Sequence, residues 1–325
     1  YTLTIAPRVV GDKVVIGNSG AEFPPYRGYF SAFDAATGRE VWRFYTVPGD
    51  PSKPFEHPAL ETAARTWGGE WWKYGGGGSL WDGLSYDPDA NLIYVGTGNG
   101  APWPGILRGP EGYDNLYVSS ILAVNPDTGQ LAWHYQAVPG DSWDIDNVQQ
   151  MILAELEIEG RVRKVLMQAP KNGFFYVLDR ETGELLSAEK LVPINWASHV
   201  DMATGRPVEN PQARYGTEPV MLSPGAGGAH NWNPMAFSPK TGLVYVPVSE
   251  TYMAYALAPD WAPGQGLGTS FRGDDDKRKA IAEYADAHSK GWLVAWDPVR
   301  QRAAWRTPDE PKGSGGVLVT GGNLV

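Results

Sequence analysis

Ala32-Phe-Asp-Ala-Ala-Thr-Gly-Arg-Glu-Val-Trp42 returns further along the chain as Ala123-Val-Asn-Pro-Asp-Thr-Gly-Gln-Leu-Ala-Trp133. Further versions are Val177-Leu-Asp-Arg-Glu-Thr-Gly-Glu-Leu-Leu186 and Ala295-Trp-Asp-Pro-Val-Arg-Gln-Arg-Ala-Ala-Trp305, and Ser238-Pro-Lys-Thr-Gly-Leu-Val-Tyr245 is a shorter echo. Most copies read as a strand, an Asp/Asn-x-x-Thr-Gly turn and a second strand; the copy ending at Trp305 lacks the Thr-Gly. The Asp or Asn side chain closes such a turn onto its own backbone, and Gly supplies a positive φ. The Trp on the exit strand is placed to pack between neighbouring sheets. Trp42 and Trp133 lie 91 positions apart, the length of two propeller blades of roughly 40–50 residues each. The expected fold is all-β: one β-propeller domain over residues 1–325, with roughly five or six four-stranded blades and incomplete ones at both ends.

Composition agrees with this reading. Among 325 residues, 40 Gly, 27 Pro, 14 Trp and 16 Tyr suit many tight turns joining short aromatic strands. The formal charge of −10 argues against a nucleic-acid surface, which needs a basic stripe. No run of about 18 apolar residues is present to span a membrane. With no cysteine, disulfides, thiolate metal sites, a Cys nucleophile and covalent haem attachment are excluded within this stretch, although the compartment is not thereby fixed. Tyr1-Thr-Leu-Thr-Ile reads as the inside of a strand and Gly321-Gly-Asn-Leu-Val325 as the start of one, so both ends read as cut and missing targeting signals carry little information. Helix signal is best over Asp276-Lys-Arg-Lys-Ala-Ile-Ala-Glu-Tyr-Ala-Asp-Ala-His-Ser-Lys290, opened by Asp274–Asp276 as N-caps and expected on the surface between blades.

A structural repeat does not need the segments that lie between its copies. In order, these are Ser19-Gly-Ala-Glu22, Gly75-Gly-Gly-Gly-Ser-Leu-Trp81, Gly96-Thr-Gly-Asn99, Asp141-Ser-Trp-Asp144, Ala169-Pro-Lys-Asn-Gly173 and Ala229-His-Asn-Trp232. Each alone is a weak motif. Together and in this order they resemble the alcohol dehydrogenases that use pyrroloquinoline quinone (PQQ), most closely the soluble quinohaemoprotein branch, over essentially the whole chain.

The resemblance implies a set of site residues. Glu22 matches the family's carboxylate metal ligand, Asn99 its amide ligand, and Asp144 the Asp beside the metal, which also serves as catalytic base. Taken alone, Glu22 is a solvated loop carboxylate and Asn99 a turn residue after Gly98; as a set they supply the hard oxygens that a cation with six or more ligands wants. Asp146 adds a carboxylate two places after Asp144. On an extended backbone these two side chains point the same way, and a third carboxylate favours a larger or more highly charged ion, so a lanthanide is expected ahead of calcium. Trp81 matches the indole floor under the quinone, which offers stacking over a large aromatic area, and the glycines before it are expected to let backbone approach a flat ligand. Thr4, Ser19, Gly20, Ala21 and Ser79 match positions that hydrogen-bond the quinone's carboxylates and carbonyls, and Asn231 with Trp232 match the pair near its far oxygens. Lys171, which alone would read as a surface charge, matches the basic residue at the reactive carbonyl and is expected to act in catalysis as well as in cofactor binding.

The implied activity is oxidation of primary or secondary alcohols by hydride transfer to metal-bound PQQ, with electrons passed to a cytochrome c-type acceptor, in the periplasm. Membrane glucose dehydrogenases of the wider family also carry Asp at the position of Asp146, and a glucose- or polyol-type quinoprotein dehydrogenase is the alternative activity. Two other classes compete: a non-catalytic propeller scaffold, which lacks the Glu22, Asn99, Asp144 and Lys171 set, and a two-carboxylate hydrolase, which leaves Trp81, Lys171 and Asn99 unexplained. The family's adjacent Cys-Cys disulfide, the Arg after it and a quinone-contacting Glu would lie before Tyr1, and no cytochrome domain is read in this chain. The alcohol itself is not legible; loops 196–216 and 251–291 are expected to shape its pocket.

Overall fold

The computed structural model describes residues 2–23, 26–109, 112–262, 265–270, 276–311 and 315–325. The chain divides into two compact units, residues 1–148 with 257–270 and residues 149–256 with 271–325. Unit 1 carries sheet I (Arg8–Val10, Lys13–Gly17, Tyr29–Asp34, Glu40–Tyr45) and sheet II (Leu84–Asp87, Leu92–Gly96, Ser120–Val124, Leu131–Gln136). Unit 2 carries sheet III (Met151–Ile158, Arg161–Gln168, Phe174–Asp179, Leu185–Lys190) and sheet IV (Ala236–Ser238, Leu243–Glu250, Lys290–Asp297, Arg302–Arg306). Each is an antiparallel meander. Against five or six blades read from length, the described residues form four complete four-stranded sheets, because long connectors such as 46–83, 191–235 and 251–289 absorb the remaining chain. Three two-stranded ladders lie within connectors: Gly76–Gly77 with Gly100–Ala101, Ala197–Asp201 with Arg206–Glu209, and Val220–Leu222 with Met253–Tyr255.

The repeated turns close as their residues dictate. Asp34 Oδ1 accepts from the Thr37 N–H at 2.7 Å and its hydroxyl at 2.6 Å, while Gly38 sits at φ +70°. Asn125 with Gly129 and Asp179 with Gly183 repeat the arrangement. In the copy without Thr-Gly, Asp297 still accepts from the Val299 and Arg300 N–H groups, and Gln301 takes the left-handed position at φ +49°. A further copy that the repeat reading passed over, Asp201 with Thr204 and Gly205, closes the turn of the ladder Ala197–Asp201/Arg206–Glu209. Trp42 lies against the next turn as expected: its Nε1 donates to the Pro126 carbonyl at 2.8 Å, and Gly129 has no side chain to obstruct the ring.

Burial is highest in the central strands of each sheet and falls towards its edges. Ser120–Val124 is buried throughout, whereas Arg302–Arg306 is exposed throughout. One apolar cluster, including Val15, Phe30, Ile93 and Leu122, forms the core of unit 1; another, including Val165, Phe175, Val246 and Val294, forms that of unit 2. Each such side chain taken fully out of water contributes about 1.5–3 kcal/mol.

Neither chain end lies within a strand as expected. Thr2 makes only an isolated bridge to Ser19, and residues 321–325 form a turn in which the Thr320 N–H donates to the Leu324 carbonyl across Gly321-Gly322; Tyr1 is outside the described residues. The expected helix runs Asp276–His288 with Ile281 as its buried residue, and Lys290 instead opens a strand of sheet IV. Asp274 and Asp275, read as N-caps, are outside the described residues. Among the described residues, no helix is long and apolar enough to cross a membrane.

The meander decides where function can sit. Strands alternate in direction, so the turn between strands 3 and 4, the Asp/Asn-x-x-Thr-Gly turn, lies at one end of each sheet. The loop between strands 2 and 3 and the connector leaving strand 4 lie at the other end. Residues 19–22 and 99 occupy loops between strands 2 and 3 in sheets I and II, as does Lys171 in sheet III. Residues 75–81, 141–146 and 231–232 lie on connectors that leave strand 4.

Candidate cofactor and metal site

In unit 1, four connectors meet through hydrogen bonds. The Trp81 indole donates to Asp146 Oδ1 at 3.1 Å, and the Asn99 main-chain N–H donates to the same oxygen at 3.0 Å. Asn99 Nδ2 donates to Glu22 Oε1 at 2.9 Å and to the Gly100 carbonyl at 3.1 Å. The Trp103 indole donates to the same Glu22 oxygen at 2.7 Å. Residues 22, 81, 99 and 146, remote in sequence, are thus joined in one chain of contacts. Asp146 and Asn99 are buried; Glu22 and Trp81 are half-buried.

Each connector is fixed from within. Asn18, fully buried, staples the ends of the 18–28 loop by donating to the Arg27 carbonyl and accepting from the Tyr29 N–H. Connector 46–83 is anchored by Trp67 and Trp71, whose indoles donate to the carbonyls of Leu116 and Pro48 at 2.6 and 2.8 Å, over a small apolar cluster with Val47 and Val118. The glycines at 75–78 all have positive φ, between +73° and +89°. Their missing side chains also serve the protein's own packing: a Cβ on Gly75 would lie 2.0 Å from the Tyr26 carbonyl oxygen and one on Gly77 2.2 Å from that of Asn99. Ser79, buried, follows directly and accepts from the Gly98 N–H through its carbonyl at 2.7 Å. Thr4 and Ser19 pair hydroxyls at 2.6 Å, and Thr4 also donates to the Trp81 carbonyl at 3.0 Å. Gly20 turns the chain at φ +80° ahead of fully buried Ala21.

Asp144 is half-buried and adopts φ +63°. Its segment forms no strand, so the two-residue alternation expected to aim Asp144 and Asp146 alike does not apply. The neighbouring Asp141 is fully buried; burial pushes its carboxyl up to about 6, opposed by the charge of Arg108. Trp103, Arg108 and Asp141 were missed as site residues. Asp141 stood in a quoted motif and Trp103 in the conspicuous Ala101-Pro-Trp-Pro104, but nothing around Arg108 in the sequence marks it.

The donor set fits a hard cation. Asn99 spends its amide hydrogens on Glu22 and Gly100, and its Oδ1 accepts from no protein donor among the described residues. That leaves an amide oxygen of a buried residue beside a carboxylate, the chemistry an oxygen-seeking ion needs. Among the described residues, no three His, Cys, Asp or Glu side chains converge as a metal-holding group.

In unit 2, Lys171 is buried, unlike an ordinary surface lysine. Gly228, at φ +77°, lies against it: a Cβ there would come within 2.5 Å of Lys171 Cγ. The Ala229 N–H donates to the Lys171 carbonyl at 3.0 Å, and the Ser249 N–H donates to Ala229 at 2.8 Å. The loop continues into His230, buried, whose Nδ1 lies 2.9 Å from the Pro247 carbonyl oxygen; burial draws its pKa down to about 4. Asn231 folds back onto its own loop, donating to the Gly227 carbonyl and accepting from the Trp232 N–H, and Trp232 is 62% exposed.

Residues 1–210 match the family model for the glucose/ethanol/alcohol dehydrogenase (PQQ) beta-propeller domain. The chain belongs to this PQQ dehydrogenase family. It is 55% identical over its whole length to quinohemoprotein alcohol dehydrogenase ADH IIB of Pseudomonas putida, of which it covers 46%. The quinohemoprotein alcohol dehydrogenase structure from Comamonas testosteroni superposes with a TM-score of 0.91 at 46% identity, over 97% of this chain and 48% of that one. A europium-containing methanol dehydrogenase matches with a TM-score of 0.79 at 36% identity, over 95% of this chain and 54% of that one. The chain spans about half the length of the family members it matches. Its fold class is therefore the PQQ family's β-propeller, as read from the repeated turns.

Proposed function

We propose that this protein oxidises primary or secondary alcohols to aldehydes or ketones with PQQ and one hard metal ion, and passes the electrons to a cytochrome c-type acceptor in the periplasm. The hydrogen-bonded chain Trp81–Asp146–Asn99–Glu22 carries the reading, because it gathers an indole, two carboxylates and an amide from four connectors. When bound, PQQ supplies an electrophilic carbonyl that takes up hydride, and the metal ion polarises it. Glu22, Asn99, Asp144 and Asp146 hold the ion. Trp81 offers its ring for stacking, and Thr4, Ser19, Gly20, Ala21 and Ser79 bind the quinone's polar edge, with Asn231 and Trp232 at its far oxygens. Asp144 accepts the alcohol's hydroxyl proton on its carboxylate. Lys171 provides a hydrogen bond and positive charge where negative charge develops.

The buried carboxylate of Asp146 adds to the negative charge of the site, which favours a lanthanide over calcium. The likeness to a europium-containing methanol dehydrogenase supports this choice. The test reconstitutes the purified protein with PQQ and either calcium or lanthanum, then measures alcohol-dependent reduction of an artificial electron acceptor. Turnover with lanthanum is expected. Full activity with calcium and none with lanthanum would reverse the metal choice, and no turnover with either metal would refute the dehydrogenase.

A further inference from the structure

Asp141 is fully buried, three residues before Asp144. Its Oδ1 accepts from the N–H groups of Trp143 and Ile145, both at 3.1 Å, so it grips the chain on either side of Asp144. Its Oδ2 accepts from the Gly100 N–H at 3.3 Å, one residue after Asn99. One carboxylate thus ties the segment bearing Asp144 to the segment bearing Asn99. The first grip matters because Asp144 has left-handed backbone at φ +63°, a conformation unfavourable for a non-glycine residue unless its surroundings support it.

Arg108 closes the other side. It is 1% exposed and donates to the main-chain oxygens of Trp103 and Asp141 and to the Asn115 side chain. A Cβ on Gly100 would lie 2.4 Å from the guanidinium carbon, so residue 100 must be glycine for this packing. The same arginine reaches the carbonyl of Trp103, whose indole holds Glu22.

We propose that Asp141, braced by Arg108, is a positioning residue that sets the spacing of the metal-holding oxygens on Asn99 and Asp144. The inference rests on the reading of Glu22, Asn99 and Asp144 as metal-holding residues. Asp141 touches neither metal nor substrate; it acts by accepting three main-chain hydrogen bonds, which an amide of the same shape cannot do in full. In Asp141→Asn, the remaining oxygen can keep the Trp143 and Ile145 bonds, while the NH2 group faces the Gly100 N–H and the tie between segments is lost.

The experiment is a terbium(III) titration of the purified protein, followed by tryptophan-sensitised luminescence, with thermal unfolding measured in parallel. Asp141→Asn is expected to weaken terbium binding 10–100-fold, the usual loss when a group orienting metal ligands is removed. A role in stability alone would lower the melting temperature and leave terbium affinity, measured well below unfolding, unchanged; that result overturns the inference. Glu22→Gln tests the underlying reading separately: unchanged terbium binding there means that the metal site itself is misassigned. Should Asp141→Asn not fold, Arg108→Lys replaces it, since lysine keeps the charge but lacks the planar fork. Weakened terbium binding in that variant supports the proposal and unaltered binding refutes it.

Discussion

Acidification reaches unit 2 through His230. The Pro247 carbonyl, 2.9 Å from Nδ1, can only accept, so Nδ1 carries the hydrogen and Nε2 is left as a buried lone pair with no partner among the described residues. Protonation would place a second N–H and a full charge in that position, and burial lowers the pKa from its ordinary 6.5 to about 4. The folded state therefore binds this proton less readily than the unfolded chain. The stability due to neutral His230 is full above pH 6.5, falls as pH drops from 6.5, and levels near pH 4. At about 1.4 kcal/mol per tenfold change, the loss across that window is roughly 3 kcal/mol. The measurement is urea unfolding from pH 7.5 to pH 4 for the wild type and for His230→Asn, whose amide can still donate to Pro247 without titrating. Carboxylates and the other histidines are present in both proteins, so the difference between the curves isolates His230. That difference should change by roughly 3 kcal/mol in favour of the variant at low pH. Parallel curves would refute the argument. Because Ala229 and His230 join Lys171 to the strand Leu243–Glu250, the same acid range should loosen the loop bearing Asn231 and Trp232.

Other consequences follow from individual residues. Asp144→Asn should reduce alcohol turnover to background while PQQ binding, measured by quenching of tryptophan fluorescence, persists; near-wild-type turnover would remove Asp144 from its role as base. Asp146→Ser should shift the metal giving highest activity from lanthanum towards calcium, checked by titrating the metal-free protein with each ion. Gly77→Ala puts a Cβ 2.2 Å from the Asn99 carbonyl oxygen at φ +89° and should cost at least about 2 kcal/mol in urea unfolding. Trp42→Phe removes the indole bond to Pro126 and should cost about 1 kcal/mol in the same assay.

The fold was legible where its parts are self-sufficient. An Asp/Asn-x-x-Thr-Gly turn closes on its own side chains, as Asp34 with Thr37 and Asp179 with Thr182 do, so the local sequence contains its own explanation. The exception at Gln301 shows the limit: Asp297 keeps that turn after the glycine is gone, and only the coordinates reveal a non-glycine residue at φ +49°. Blade count was less legible because length does not separate sheet from connector. Glu22, Asn99, Trp81 and Asp146 were candidates through the family resemblance alone, and hydrogen bonds join them. Arg108 was invisible because its significance lies in carbonyls and an amide supplied by other segments, none of which leaves a mark beside it in the sequence.

That contrast also explains why one end of each sheet carries long connectors while the opposite end keeps short turns. A turn that closes on its own side chains does not depend on its neighbours for its shape. Connectors at the other end must find partners elsewhere: Trp67 reaches Leu116, Trp103 reaches Glu22, and Asp141 reaches Gly100. Each such bond restricts two segments at once, so a displacement in one is transmitted to the other. A left-handed aspartate such as Asp144 persists in this lattice because Asp141 holds the amides on both sides of it. Strain in the backbone and burial of a carboxylate are both unfavourable alone. The hydrogen bonds offset both: the N–H groups of Trp143, Ile145 and Gly100 satisfy the buried carboxylate while holding the chain around Asp144, and they tie separate connectors together, as a site for a hard cation requires.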